Sequence, residues 1–184
     1  MRVRTIRAAG LALLALGMFC PSARADSSVE LSAATGLGVL AVGVTPGRFA
    51  ISPSASVSLR GERGFFVARD TVSFLGANGG LFGINNETTV GGGLFWEQVN
   101  VSAGLSLAEF SLPICGPRAC SHHLYGIAPG AGLRADVFGP YLSGALGVSV
   151  DCAGSWITGS ASFIRSGVSL RCSAGPILRF TSNR

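Results

Sequence analysis

The residue types most suited to catalysis lie together in Ser121-His122-His123, and the chain contains only these two histidines. A serine nucleophile requires a base within hydrogen-bond reach of its hydroxyl and an acid that orients the base. Asp151 is the candidate acid, because it ends a later strand at what we predict to be the same rim. Adjacent strand residues point to opposite faces, so this order of residues does not itself supply the geometry. We favour a non-enzymatic protein and keep catalysis by Ser121, His122 or His123 with Asp151 as an alternative.

Metal and cofactor chemistry has less support in the sequence. Two adjacent histidines lack the spacing with which a chain presents two imidazoles to one metal ion. The glycine-rich segments at 78–80 and 91–93 are not followed by a helical pattern, which a phosphate-binding loop requires. We therefore expect no metal site and no cofactor.

The first 25 residues have the composition of a secretory signal. Three arginines precede an apolar run at 8–20, and the sequence ARA follows at 23–25. The run is too short to span a bilayer as a helix, and the small residues are typical of a cleavage site. The sequence predicts a cleaved signal peptide at 1–25 and a single domain at 26–184.

Removal of this segment changes the charge balance. Four of the 14 basic residues lie within it, so ten arginines remain against nine acidic residues. The remaining chain has no basic run or patch of the kind that attracts nucleic acid. We expect no nucleic-acid partner.

The cysteines agree with export to an oxidising compartment. An even number in an exported chain predicts disulfides. Three pairings are formally open, and the short spacing of CGPRAC favours Cys115 with Cys120, which leaves Cys152 with Cys172. We expect both disulfides at the same rim as the long connections described below.

Strict alternation of apolar and small polar residues indicates β-strands rather than helices. The segment FAISPSASVSLR at 49–60 places Phe49, Ile51 and Val57 on one face and serines on the other. Similar segments recur along the chain, and each has about the nine to eleven residues that a tilted membrane strand requires. The pattern predicts eight strands, at about 34–44, 49–59, 65–75, 88–96, 99–112, 123–138, 141–151 and 167–180.

The connections alternate in length, which predicts an up-and-down meander with two different rims. Short turns form one rim, and long loops at 76–87, 113–122 and 152–166 form the other. Charged residues make up only 12% of the chain, and aromatic residues cluster near the predicted strand ends, as in membrane barrels. We predict an all-β, eight-stranded antiparallel up-and-down transmembrane β-barrel with its apolar row toward lipid. The alternative is a secreted soluble barrel that binds a small apolar ligand inside.

Several charged residues fall on the inward row of the predicted strands. A narrow eight-stranded lumen is filled by its own side chains, so we expect a structural salt-bridge network and keep a gated ion path as the alternative. Asp70 falls on the lipid side, where an acid is costly; we expect a bulge, a shifted register or a contact with another protomer there. The predicted inward charges are Arg69, Glu97, Arg134, Asp136, Asp151, Arg171 and Arg179.

The last strand contains a pattern that resembles the assembly signal of bacterial outer-membrane barrels. Ser173, Gly175, Leu178 and Phe180 occupy its positions, although TSNR follows the final aromatic residue. At the level of architecture the chain is similar to the small eight-stranded barrels of the OmpA/OmpX type. The resemblance implies a bacterial outer-membrane location, with outer-membrane lipid and the barrel assembly machinery as partners. The fold does not dictate the function; we expect a structural or surface-interaction role through the long loops, where an extracellular ligand or protein would bind. The enzymatic alternative would be a lipid-modifying enzyme of the outer leaflet.

Overall fold

A computed structural model of the chain describes residues 28–42, 48–62, 64–77, 80–115, 120–157 and 167–182. The predicted signal peptide at 1–25 lies outside this part. The described residues form eight strands and a short 3-10 turn at Tyr141–Gly144. The strands are β1 (Ser28–Val42), β2 (Arg48–Arg60), β3 (Gly64–Ala77), β4 (Gly80–Trp96), β5 (Val99–Cys115), β6 (Cys120–Phe138), β7 (Leu146–Ile157) and β8 (Gly167–Ser182).

Every strand pairs in antiparallel fashion with its neighbours in sequence, and β1 also pairs with β8, so the sheet closes into a barrel. Closure leaves the described sheet without the free edges that would otherwise pair with other chains. The predicted eight-stranded up-and-down barrel is thereby confirmed. Among the described residues no helix has the length and apolar character needed to cross a bilayer.

The orientation of the strands is the one that alternation predicted. On β2, Phe49 and Ile51 are 57% and 44% exposed, whereas Ser52 and Ser58 are buried in the interior. The same arrangement recurs around the barrel, with leucine, valine and isoleucine outside and serine, threonine and charged groups inside. The interior is therefore polar, which contradicts the alternative of a soluble barrel with an apolar ligand cavity.

Strand ends differ from the predicted bounds at the rim opposite the short turns. The predicted loops at 76–87 and 113–122 are largely paired strand, because β3 and β4 continue to Ala77 and Gly80 while β5 and β6 continue to Cys115 and Cys120. Glycine and asparagine in these segments resemble turn signals, but pairing with the neighbouring strand overrides weak local preferences. The rim opposite the short turns therefore consists of extended hairpins more than of long loops.

The seventh strand is displaced along the chain relative to its prediction. Residues 141–144 form the 3-10 turn, with Leu142 and Gly144 at positive φ, and β7 begins only at Leu146. Pro140 and these two backbone conformations end the extended structure. Because β7 runs on to Ile157, residues predicted for the start of the loop at 152–166 belong to the barrel wall.

Candidate functional site: a plugged lumen and the outer wall

A central charge cluster fills the middle of the lumen. Asp151 on β7 bridges two arginines, with Oδ1 3.0 Å from Arg69 Nη2 and Oδ2 2.8 Å from Arg171 Nη2. Arg171 also donates from Nε to Glu87 Oε2 at 3.1 Å. All four side chains are buried. The cluster ties β3, β4, β7 and β8 together across the barrel, with each charge compensated by a partner of opposite sign.

A second cluster lies inside the short-turn rim. Glu30 Oε2 is 3.0 Å from Arg60 Nη1 and 3.9 Å from Arg179 Nη1. The two guanidinium groups stack on Phe95 and Phe138, at 4.2 and 3.8 Å from the ring centroids. Because arginine and aromatic rings fill the cross-section together, this end of the lumen is plugged.

Toward the opposite end of the lumen, apolar side chains share the interior with buried polar ones such as Asn85, which is opposite Phe110. Leu40, Ala50 and Leu75 form one buried group inside the wall, from β1, β2 and β3. A second buried group comes from β5, β6 and β7, and it contains Ala108, Phe110, Ala128 and Ile157. These two groups narrow the lumen between the central charges and the rim of extended hairpins.

The described part of the lumen contains a small polar cavity. This cavity, beside Asp151, is lined by residues of four strands, and its serines include Ser52, Ser54 and Ser173. It holds about one water molecule. A cavity of this size supports a structural charge network and gives no support to a gated ion path.

Six of the seven charges predicted to face inward do lie on the inward row. Arg134 is one of them, and its Nε donates to Asp136 Oδ1 at 2.7 Å. The prediction is wrong for Glu97, which is exposed at positive φ in the two-residue turn between β4 and β5. The turn rotates its side chain out of the strand alternation. The six are Arg69, Arg134, Asp136, Asp151, Arg171 and Arg179.

Sequence reasoning missed three members of the network, and all three lie at underpredicted strand ends. Glu30 precedes the predicted start of β1, and Glu87 lies in a predicted loop. Arg60 is on the serine row of the segment at 49–60 but follows the predicted end of β2. Each has the inward parity of its strand. Extending the alternation past the apolar residues would have found them.

Asp151 does not lie at the rim, which contradicts the geometry required for catalysis. It is opposite Arg134 on β6, whereas His123 and His122 are opposite Pro113 and Ile114 at the far end of that strand. At about 3.4 Å per residue, this separation along β6 is roughly 37 to 41 Å. The side chains of residues 121–123, Ser121 included, lie outside the described part of the structure. Asp151 can therefore not orient either histidine.

The disulfide between Cys152 and Cys172 is present, with a Cα–Cα distance of 4.1 Å. The two residues are opposite each other on β7 and β8 and lie on the outward row in mid-strand. The predicted rim position is wrong for this disulfide, because β7 begins five residues later than expected. Cys115 and Cys120 pair through their backbones, and their side chains lie outside the described residues.

The aromatic residues divide between the outer wall and the lumen. Trp96, Tyr141 and Phe180 are exposed near the short-turn rim. Phe49, Phe74 and Trp156 are exposed nearer the other rim, so the outer wall carries aromatic residues at two levels. Phe110 and Phe138, which clustered with them in sequence, instead point inward and close the lumen.

Asp70 lies on the outer wall, as its parity predicted. Its carboxylate accepts a hydrogen bond from Thr88 Oγ1 at 3.0 Å, and it is opposite Ala55 and Thr88 in regular pairing. The one register shift between β3 and β4 falls at Leu75/Gly76. A bulge or shifted register at Asp70 is thus contradicted. Of the three expectations, only the contact with another protomer is left.

The four residues of the predicted assembly signal lie on both faces of β8. Ser173 is buried in the lumen, and Gly175 borders the small cavity. Leu178 and Phe180 are exposed on the outer wall. Their recognition by an assembly machinery stays a prediction.

Comparisons with known proteins place the fold. No protein-family model matches the chain, and no curated protein matches it. The crystal structure of Neisserial surface protein A (NspA) superposes with a TM-score of 0.54 at 17% identity, over 84% of this chain and 97% of that chain. Ail, the attachment invasion locus protein of Yersinia pestis, crystallised with the heparin analogue sucrose octasulfate, superposes with a TM-score of 0.52 at 10% identity, over 84% of this chain and 99% of that chain. The chain has the fold of the small eight-stranded outer-membrane barrels.

Proposed function

We propose that this protein is an outer-membrane anchor that presents its external connections for binding and does not conduct solutes. The plugged lumen carries this proposal. Arginine, acid and aromatic side chains fill two levels of the barrel, and two groups of buried apolar side chains narrow a third. A barrel built in this way holds its rim segments in fixed positions without offering a path through the membrane.

The two rims suggest how the barrel is oriented. Both ends of the described chain, at Ser28 and Ser182, lie at the rim of tight turns, opposite the extended hairpins. Short turns face the periplasm in outer-membrane barrels, and elaborated segments face outward. Outer-membrane lipid surrounds the apolar wall in this proposal, and the C-terminal pattern with Gly175 is read by the barrel assembly machinery during insertion.

The external connections favour an anionic ligand. The segments at 43–47, 78–79, 116–119 and 158–166 contain Arg118 and Arg165 and no aspartate or glutamate. Sulfate and phosphate groups are recognised by arginine through paired, charge-assisted hydrogen bonds. Ail, which has the same fold, was crystallised with a sulfated heparin analogue. The ligand class that we propose is therefore a sulfated or phosphorylated glycan.

The test is binding of intact cells that display the full chain to immobilised heparin. We expect retention by the parent protein and its loss on Arg118→Ala/Arg165→Ala, because both cations of the external segments are removed. Arg63→Ala removes an arginine from the short-turn rim and serves as the matched control. Equal retention of all three strains, or of cells without the protein, would contradict the proposed ligand class.

A further inference from the structure

The polar residues of the outer wall are concentrated on one side of the barrel. Among the outward strand residues whose side chains the structure describes, Asp70 and Glu109 are the charged ones. They lie on β3 and β5, on either side of β4. Between them, β4 presents Asn86 and Thr88 on the same outward row. We call Asp70, Asn86, Thr88 and Glu109 the polar face.

Strand register makes the polar face continuous. Asp70 is opposite Thr88, and Asn86 is opposite Glu109. Phe66 and Phe74 lie equally far before and after Asp70 on the outward row of β3. The polar face therefore begins halfway between two aromatic positions, at the depth where hydrocarbon surrounds a membrane barrel.

The polar face contains hydrogen-bond donors and acceptors that have no partner within the same barrel. Asp70 Oδ1 accepts one hydrogen bond, from Thr88, and a carboxylate accepts about four. Asn86 Oδ1 is buried and has no hydrogen-bond partner among the described residues, and the same amide carries two N–H donors. Lipid tails can satisfy none of these groups.

The surroundings of the polar face permit close approach of another wall. Small side chains border it on its β2 and β3 side, at Ala55, which is opposite Asp70, and at Ala68. Small residues let backbones approach closely in membranes, and polar side chains then form hydrogen bonds across the contact. The opposite wall, on β7 and β8, presents valine, leucine and the disulfide instead.

We propose that the polar face binds a second copy of this chain, in a two-fold contact within the membrane. Each copy offers an amide donor at Asn86 and a carboxylate acceptor at Asp70, so the two-fold operation brings donor to acceptor twice. An isologous contact requires this kind of self-complementarity. The chain contains no lysine, and its described outward row contains no arginine, so the complementary groups of a second copy are amides and hydroxyls.

The test is energy transfer between donor-labelled and acceptor-labelled full chains in phosphatidylcholine vesicles at increasing protein-to-lipid ratio. We expect self-association of the parent protein. In Asn86→Leu/Thr88→Val it should weaken about tenfold or more, because several hydrogen bonds between the two copies are lost together. Thr35→Val is the matched control, since Thr35 faces outward on β1, away from the polar face. Unchanged association of Asn86→Leu/Thr88→Val, or equal weakening by Thr35→Val, would overturn the proposal.

A photo-crosslinking residue locates the contact independently of these substitutions. Placed at Val90 beside the polar face, it is expected to produce a covalent dimer of this chain. Placed at the exposed Val150 on β7, it is expected to produce none. Dimer from both positions would show that contact between copies is not specific to the polar face. Adducts of lipid alone from Val90 would show that the polar face meets hydrocarbon, and either result would overturn the proposal.

Discussion

Asp151 compensates two buried arginines at once, and this gives it the largest expected effect of any single acid in the lumen. In Asp151→Asn, Arg69 and Arg171 lose their shared anion inside a narrow, poorly hydrated space. Removing one partner of a buried ion pair costs about 3 to 5 kcal/mol. We expect a loss of that size in the free energy of unfolding, measured by urea titration in detergent micelles.

Asp136→Asn is the control for this loss, because Asp136 contacts a single arginine and is more exposed. Its effect should be clearly smaller. Equal stability of Asp151→Asn and the parent protein would mean that the arginines find other partners or water. The central cluster would then not be the structural core of the lumen.

The seam between β1 and β8 is the element on which closure depends. Pairing is interrupted between Ala34/Ile177 and Leu37/Ala174, where Pro176 has no N–H to donate. At this point Gly175 lies so close to β1 that an added Cβ would collide with the carbonyl oxygen of Thr35. The backbones of the first and last strands can approach here only because position 175 has no side chain.

Gly175→Ala should therefore destabilise the barrel by about 1 to 3 kcal/mol, the range for overpacked sites. The measurement is the temperature at which the compact form in an unheated gel sample converts to the unfolded form. Gly154→Ala on β7 is the matched control, since its added Cβ would meet Ser169 O at 3.8 Å, an ordinary contact. If both variants convert at the same temperature as the parent, the seam tolerates the methyl group and the packing argument fails.

The cross-strand disulfide also belongs to the element scale, because it joins β7 to β8 on the outer wall. Its sequence separation is 20 residues. Closing a loop of this size lowers the entropy of the unfolded chain and raises the free energy of unfolding by about 3 kcal/mol. In a Cys115→Ser/Cys120→Ser background, reductant should lower the urea midpoint accordingly. Further replacement of Cys152 and Cys172 by serine should abolish the response to reductant. If reductant leaves the urea midpoint of Cys115→Ser/Cys120→Ser unchanged, the disulfide between Cys152 and Cys172 does not stabilise the barrel.

The whole molecule is a closed wall around a filled interior, and this predicts its behaviour in a planar bilayer. The parent protein should produce no stepwise conductance. Phe110→Ala/Phe138→Ala removes an inward aromatic ring from each end of the lumen and should produce measurable leak if it folds. Steady conductance of the parent protein would contradict the plug.

Much of this protein follows from alternation alone. A two-residue period with apolar residues on one row and serine on the other already determines eight strands, their inward and outward faces and the transmembrane class, because a one-residue slip would place every leucine inside. Parity alone predicts that Arg69, Arg134 and Arg171 face the lumen.

Tertiary structure decided where strands end and what meets across the lumen. Glu87 became the partner of Arg171 only because β4 continues eight residues beyond its predicted start, held there by pairing that no local preference encodes. Asp151 lies at the centre of the lumen and not at the predicted rim, because the turn at Tyr141–Gly144 shifts the start of β7 to Leu146. Parity is a local property of each strand, whereas register and depth depend on neighbours that are far away in sequence. For this reason the sequence determined the faces of the barrel, and the closed sheet decided the partners.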